Sequence, residues 1–229
     1  MRFVAIPGCL SCCGTRCREP PGGRQAAIGC LTLAPLGLWT KHLRACCIRC
    51  WSPTTFDRLK DVTGAEVESL LEAARWAPSA GNSQPWAFIL GCRSEPTHDR
   101  LVRHLAKSSA AWAPTAGLLV ANLSHRFVED TDWDYSDFSV YDLGQAVAHM
   151  SFQAQSLGLH VRQFRAFDRA GLATEFEVPQ HWEVTTMSAI GHVPRNSPQD
   201  DQANSSRPAR HRRSSTEIRW PQASFTERR

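Results

Sequence analysis

The strongest constraint on the fold of this chain is an apolar stripe between residues 141 and 157. Apolar side chains recur there every three or four positions, the spacing that places them on one face of an α-helix. Gly158 follows directly and is a natural residue for capping that helix. A face this wide must be covered by other elements, so the stripe predicts a core helix. Its members are Leu143, Ala146, Val147, Met150, Ala154 and Leu157.

Shorter helices and strands are expected on both sides of this stripe. The segment Thr63-Gly-Ala-Glu66 is a capping box, in which each of the two end residues bonds to the other's backbone amide, and Pro78 ends the helix that follows. The glycine-rich phosphate loops of doubly wound folds are absent from the sequence. Strands are predicted at residues 86–91, 116–122, 159–164 and 183–193, and further helices at 97–108 and 168–176, with a capping box at Ser214-Ser-Thr-Glu217.

The two ends of the chain differ in charge from its middle. Residues 1–50 carry seven Lys/Arg and one acidic residue, and residues 195–229 carry eight Arg and four acidic residues. Residues 51–194 carry 11 basic and 17 acidic residues. The basic balance therefore belongs to the ends, and no nucleic-acid motif accompanies it. No run of 18 apolar residues is present, so we expect neither a nucleic-acid partner nor a membrane span.

Cysteine is concentrated at the start of the chain, with eight of the nine in the first 50 residues. A disulfide scaffold would spread its cysteines through the domain, so the core is typical of a reduced, cytoplasmic protein. We predict one domain at residues 46–220, preceded by a Cys/Arg-rich extension at 1–45 and followed by a tail at 221–229. The extension is interpreted as poorly ordered, as an organelle transit segment, or as a metal site built on Cys9/Cys12 and Cys47/Cys50.

The segment with most chemical content is Ala77-Pro-Ser-Ala-Gly-Asn-Ser-Gln-Pro-Trp86, between a predicted helix and a predicted strand. Ser79, Asn82 and Gln84 offer uncharged donors and acceptors, which suit a polar ligand. Gly81 permits a close backbone approach, and the two prolines reduce the entropy lost on binding. An ordinary helix–strand turn rich in turn-forming residues remains the alternative.

This loop resembles the FMN-binding "SPS-x-x-N-x-QPW" segment of the nitroreductase family. Four further segments resemble motifs of that family and occur in the same order, so the resemblance covers about residues 49–220. They are Tyr141-Asp-Leu-Gly-Gln-Ala146, the stretch from Leu157-Gly-Leu159 to Phe167-Asp168, Ile190-Gly-His-Val-Pro194, and Arg212-Arg-Ser-Ser-Thr-Glu-Ile218.

The resemblance implies an α+β fold, in which a mostly antiparallel sheet is flanked by helices. It further implies a homodimer with FMN at the subunit interface. The implied activity transfers hydride from NAD(P)H through FMN to a small electron-poor acceptor, such as a nitroaromatic or a quinone, in a ping-pong sequence. No catalytic side chain is then expected, because the cofactor carries the chemistry.

The resemblance also assigns roles to individual residues. The loop would contact the ribityl chain and ring edge, the segment after the third strand would lie along the ring with a backbone amide near Arg165 directed at N5, and basic residues would meet the phosphate. The implied cofactor-binding set is Arg49, Ser52, Pro78, Ser79, Asn82, Gln84, Gln163, Phe164, Arg165, Ala166, Arg212 and Arg213. Trp112, Trp133, Tyr135 and Phe164 are candidates for an apolar substrate slot, with core packing as the alternative for the two tryptophans.

One departure from the family pattern concerns the phosphate. Cys50 and Thr54 stand where the family usually carries basic residues, although Ser52 is retained and Arg49 lies one position away. Each charge-assisted contact that is lost would cost ~1.5–3 kcal/mol of binding. A catalytically weak or inactive flavin-sequestering protein of the same fold is therefore the alternative function.

Overall fold

The computed structural model describes residues 51–194, 212–214 and 216–220 of the 229-residue chain. Arg49, the paired cysteines, the extension at 1–45, most of the linker after residue 194 and the tail at 221–229 lie outside these ranges. The helices are α1 (Gly64–Arg75), α2 (Pro96–Arg103), α3 (Lys107–Ala110), α4 (Ser139–Ser156) and α5 (Arg169–Glu175). The strands are β1 (Trp86–Cys92), β2 (Leu118–His125), β3 (His160–Phe164) and β4 (Trp182–Gly191), and short 3-10 turns cover Ala80–Asn82 and Ala113–Thr115.

The four strands form one sheet in the order β1-β2-β4-β3, and every neighbouring pair is antiparallel. Alternation along β2 sends side chains to both faces of this sheet. Leu118 and Val120 pack on the side of α1 and α4, whereas Leu119 and Ala121 pack on the side of α2 and α5. Because both faces are covered, β2 is an almost continuous apolar run. The antiparallel sheet with helices confirms the predicted α+β class.

Helix α4 is the predicted core helix, although it begins at Ser139, two residues before the predicted start. Its C-terminus is a complete Schellman motif: Gly158 has φ +74°, its amide donates to Gln155 O, and the Leu159 amide donates to Ala154 O. Gln153 also donates to the hydroxyl of Ser69, which ties α4 to α1. The sequence therefore predicted both the face and the C-terminal end of this helix.

The predicted helix at residues 97–108 is wrong in its continuity. α2 ends at Arg103, Leu105 forms an isolated β-bridge with Phe167, and α3 begins at Lys107. The backbone between the two helices bonds to a distant segment: His104 O accepts from Asp168 N at 2.8 Å, and the Ala106 amide donates to Ala166 O at 3.1 Å. These tertiary bonds replace the bonds that would have continued the helix.

Other predicted boundaries shift by a few residues. β2 begins at Leu118, because the 3-10 turn at Ala113–Thr115 occupies the chain just before it, and β4 ends at Gly191. The capping box at Ser214 is present, since the Ser214 amide donates to Glu217 Oε2 and the Glu217 amide donates to the Ser214 hydroxyl. A single turn follows it rather than a helix. Within the described ranges, no helix is long and apolar enough to cross a membrane.

Candidate functional site

The loop between α1 and β1 has an unusual backbone. Gly81, Asn82 and Gln84 all have positive φ, at 59°, 56° and 49°. Glycine adopts this region freely and asparagine tolerates it, whereas glutamine adopts it at a conformational cost. Such residues persist only where the surroundings enforce them, and they cluster at ligand sites.

Helix α4 holds this loop through a buried carboxylate. Asp142 is 2% exposed, and its Oδ2 accepts from the Ala80 amide at 2.9 Å. Its Oδ1 accepts from Gln145 Nε2 at 3.2 Å, and the same amide group lies 3.3 Å from Pro78 O. The loop is therefore anchored at two backbone positions by neighbouring turns of α4.

The predicted ligand groups of the loop reach solvent. Pro78, Asn82 and Gln84 are exposed, and Ser79 is half-buried. The Ser79 hydroxyl accepts from the Gln84 amide at 3.0 Å, a bond that closes the loop, and Gln84 Nε2 lies 3.4 Å from Asn82 Oδ1. The hydroxyl of Ser83 is buried and has no hydrogen-bond partner among the described residues.

The second predicted segment begins at the end of β3. Gln163 is exposed and its Nε2 lies 3.4 Å from the hydroxyl of Ser151, on the same helix α4 that carries Asp142. The two α4 contact points are separated by about 14 Å along the helix axis, at 1.5 Å per residue. Both predicted segments thus contact helix α4, at points that nine residues of about 100° each place on opposite sides of the helix.

Phe164 points to the other side of the sheet. Its ring contacts Trp112 edge-on at 5.0 Å and Phe167 at 6.3 Å, within the cluster that also contains α5. Any contact between this residue and a ligand on the α4 side therefore comes from its backbone. The sequence analysis placed Phe164 and Gln163 in one ligand segment and did not distinguish the sides of the sheet that their side chains face.

The turn after β3 presents a backbone donor. Arg165 O accepts from the Phe167 amide at 3.1 Å. Because the peptide bond is trans, the Ala166 amide hydrogen points away from that carbonyl. It makes no hydrogen bond in the part of the chain that the structure describes. The side chain of Arg165 is 61% exposed and lies 4.0 Å from Glu183.

The segment that precedes Phe56 packs against β3. Trp51 lies beside the His160 ring at a centroid distance of 5.1 Å, and Arg162 Nη1 donates to Pro53 O at 3.3 Å. The Arg162 guanidinium also lies 4.1 Å above the ring of Trp112. A cation thus contacts the backbone between Ser52 and Thr54, both of which are exposed.

The remaining predicted residues are not brought into one cluster. Arg212 and Arg213 are exposed, in a described segment separated from β4 by undescribed residues. The predicted aromatic slot is divided: Trp112 packs against Phe164, whereas Tyr135 stacks on His125 at 3.9 Å, and Trp133 is 77% exposed. Core packing is therefore the role of Trp112 and not of Trp133.

Two sets of supporting residues were missed by the sequence analysis. Asp142 and Gln145 hold the loop, and the signal that could have identified the first is an acid inside the apolar stripe. Residues 104–109 hold the turn after β3, and they carry no local motif. Within the described ranges, no group of His, Cys, Asp and Glu side chains could hold a metal ion.

The residues that are similar to known proteins include the loop of this site. A family model described as the nitroreductase family matches residues 51–122, which include the loop, β1 and most of β2. A Streptomyces coelicolor protein provisionally named NADH dehydrogenase/NAD(P)H nitroreductase is 29% identical over 151 residues, covering 57% of this chain and 73% of its own. A protein of the same provisional name from Archaeoglobus fulgidus is 34% identical over 104 residues, covering 44% of this chain and 54% of its own.

Solved structures share the fold. An oxidoreductase containing FMN superimposes with a TM-score of 0.67 at 24% identity, over 79% of this chain and 91% of its own. A nitroreductase family protein from Clostridium difficile 630 gives a TM-score of 0.59 at 19% identity, over 78% of this chain and 97% of its own. At these identities the likeness establishes the arrangement of helices and sheet.

Proposed function

We propose that this chain, whose resemblance to the nitroreductase family is confirmed, is an FMN-dependent NAD(P)H oxidoreductase. The observation that carries the proposal is the loop at residues 77–86, with three positive-φ residues held by the buried carboxylate of Asp142. A loop kept in a costly conformation, with exposed amide side chains, is organised for a ligand before the ligand arrives. The FMN-containing neighbour and the named relatives support the same cofactor and electron donor.

The donors and acceptors of the site fit FMN. Asn82 and Gln84 carry neutral amide groups, which suit the hydroxyls of a ribityl chain and the polar edge of a flavin ring. The Ala166 amide has no partner among the described residues, and a ring nitrogen or carbonyl is an acceptor that such a donor can serve. When bound, FMN supplies the chemistry of accepting a hydride from NAD(P)H and of passing two electrons to an acceptor.

Pro78 and Ser79 are proposed to contact the ribityl chain and ring edge together with Asn82 and Gln84, and the other predicted residues have separate roles. Gln163 and Arg165 lie along the ring, Phe164 contributes its backbone, and the Ala166 amide stabilises negative charge on the reduced ring. The phosphate is met by guanidinium groups, which match its oxygens, and by one serine hydroxyl. The proposed phosphate contacts are Arg49, Ser52, Arg212 and Arg213.

We further propose a homodimer with FMN at the subunit interface. Large apolar side chains are exposed on α4, which contacts both ligand segments, at its N-cap and at the C-cap of α1. Contiguous exposed apolar residues mark interaction surfaces more often than isolated ones. They are Trp76, Phe138, Val140, Tyr141 and Phe152, between 41% and 70% exposed.

The proposed substrates are small molecules that use the site in turn. NAD(P)H would bind, pass its hydride to the cofactor and leave as NAD(P)+ before the acceptor enters, which is a ping-pong sequence. Flat electron-poor acceptors such as nitroaromatics or quinones suit a site formed by a ring and backbone amides. The proposed location is the cytoplasm, from the sparse cysteine of the central region.

The first experiment asks whether the purified full-length protein binds FMN and is reduced by NADPH or NADH. We expect a yellow protein that releases one FMN per chain on denaturation and whose visible absorbance bleaches with NAD(P)H. A protein that stays colourless in excess FMN would contradict the proposal. A protein that binds FMN but does not bleach with either nucleotide would support the sequestering alternative instead.

The second experiment assigns the site. Asn82→Ala removes an exposed amide of the loop, and we expect a roughly tenfold loss of FMN affinity, the equivalent of one hydrogen bond. Gln180→Ala is the matched control, since it removes an exposed amide from the turn before β4. Equal FMN affinity in the two variants would refute the assignment of the loop.

A further inference from the structure

Helix α3 is a single turn that places one buried hydroxyl against the turn after β3. Ser109 is 1% exposed, and its Oγ donates to Ala166 O in a close contact. The same hydroxyl lies 3.0 Å from Ala106 O, and the Ala106 amide donates to Ala166 O at 3.1 Å. The Ala166 carbonyl therefore receives two donors from residues 57 to 60 positions earlier in the chain.

These bonds restrict the orientation of the turn. With both donors on Ala166 O, the Ala166–Phe167 peptide plane is fixed. The Phe167 amide is then directed at Arg165 O, at 3.1 Å, and this bond fixes the preceding peptide plane. Because the Arg165–Ala166 peptide is trans, the Ala166 amide hydrogen points away from Arg165 O.

We infer that Ser109 is a positioning residue for the flavin site. Its hydroxyl holds the turn at residues 165–167 so that the Ala166 amide is presented to the ring without rearrangement. The inference rests on the proposed function and deepens it, because it names a residue outside the ligand segments that sets their geometry. Among the described residues, the Ser109 hydroxyl hydrogen-bonds only to backbone carbonyls, Ala106 O and Ala166 O.

The expected effect is on the reduced cofactor more than on the oxidised one. A donor aimed at the ring stabilises the negative charge that reduction creates, and it does so best when it is held in place beforehand. Removal of the Ser109 hydroxyl leaves only the Ala106 amide on Ala166 O, so the turn samples other orientations. Affinity for reduced FMN should then fall more than affinity for oxidised FMN.

The test compares Ser109→Ala and Ser109→Thr with the unmodified protein. For Ser109→Ala we expect a tenfold loss of affinity for reduced relative to oxidised FMN, which for a two-electron couple is a midpoint potential about 30 mV more negative. Ser109→Thr should keep the potential of the unmodified protein, because threonine retains a hydroxyl at the same position that can donate to Ala166 O. Without flavin, backbone amide exchange across residues 163–168 should be faster in Ser109→Ala only.

The matched control is Ser139→Ala. Ser139 is also fully buried, and its hydroxyl also donates to the carbonyl three residues earlier, Ser136 O at 2.9 Å, but it lies on α4. The flavin midpoint potential of Ser139→Ala, and its backbone amide exchange at residues 163–168, should equal those of the unmodified protein. Equal changes in Ser139→Ala and Ser109→Ala would show a general loss of stability and would overturn the inference.

Failure of the inference is distinguishable from failure of the proposed function. If the unmodified protein binds FMN and Ser109→Ala has the same potential, the positioning role is wrong while the flavin function stands. If the unmodified protein binds no FMN, both are wrong. Should Ser109→Ala not fold, Ser109→Cys supplies a weaker donor of similar shape, and an unchanged potential in that variant would overturn the inference.

Discussion

The two segments proposed to bind the cofactor are held in different ways. The loop at residues 77–86 contains residue types that restrict its own backbone, since Gly81 and Asn82 tolerate positive φ and proline fixes φ at about −65°. One helix carboxylate then anchors it at Ala80. The turn at residues 164–168 contains no such residue types. It is held by the His104 and Ala106 backbone and by the Ser109 hydroxyl, far away in the chain.

This difference separates two routes to a preorganised site. In the loop, local residue types restrict the backbone and a buried acid selects one of the remaining conformations. In the turn, the local sequence contains no residue type that restricts the backbone. The turn is held by hydrogen bonds from residues 104–109, and these bonds replace those that would have continued a helix. The first route leaves a motif in the sequence, whereas the second leaves only a predicted helix that is interrupted.

The largest expected effect comes from the anchor of the loop. Asp142→Ala removes a buried charged acceptor from the Ala80 amide, and hydrogen bonds to charged groups contribute ~1.5–3 kcal/mol. We expect the free energy of unfolding to fall by that amount, as measured by urea denaturation of the flavin-free protein, together with weaker FMN binding. Asp142→Asn keeps an oxygen acceptor and should lose less. Unchanged stability and FMN affinity in Asp142→Ala would show that the loop holds its shape without α4.

A smaller and opposite effect is expected inside the loop. Gln84→Gly relieves a positive φ of 49°, and we expect stability to change by no more than about 1 kcal/mol in the favourable direction. FMN affinity should nevertheless fall, because the exposed amide of Gln84 is lost. Thermal unfolding and flavin titration measure the two effects separately. If Gln84→Gly lost stability as well as FMN affinity, the conformation of the loop would be set by contacts with other segments and not by the backbone preference at residue 84.

The smallest expected effect is a pH dependence of the free energy of unfolding. It tests whether stability is limited by residues outside the two ligand segments. Burial lowers the pKa of His98, which packs against β1, and of His125, which is stacked between Tyr135 and Trp182. The unfolded chain then binds more protons than the folded one between those lowered values and about pH 6.5. Stability should therefore be full above about pH 6.5 and decrease as the pH falls through that window.

The histidine responsible can be identified by substitution. His98→Leu removes one of the two imidazoles whose pKa is lowered by burial, so the unfolding free energy measured by urea denaturation should depend less steeply on pH between about 7 and 5. An unchanged slope would assign the pH dependence to His125 or to other groups. The FMN affinity of the folded fraction should be the same as in the unmodified protein, since His98 lies outside both ligand segments.

Local signals predicted most of the fold. The apolar stripe of α4, its glycine cap and the capping box at Thr63 were all present in the sequence, because each depends on residues within one or two helical turns. The continuity of the helix at 97–108 was predicted incorrectly, since the competing partner of its backbone lies around Phe167. The side of the sheet that Phe164 faces also required the structure, because alternation fixes relative faces but not which face the ligand occupies.

The sequence by itself determined most of the elements and the position of the polar loop, since periodicity, caps and turn-forming residues act over short distances. The α+β class was predicted from the resemblance of five ordered segments to a known family. Only the tertiary structure decided what supports that loop and which groups fix the turn after β3. Those roles belong to Asp142 and Ser109, ordinary residues in their local context, and become visible only when folding brings them against distant backbone amides and carbonyls. A hydrogen bond between segments carries no periodicity along the chain. The acid inside the apolar stripe therefore marks Asp142 without indicating its partner, and no local pattern marks Ser109.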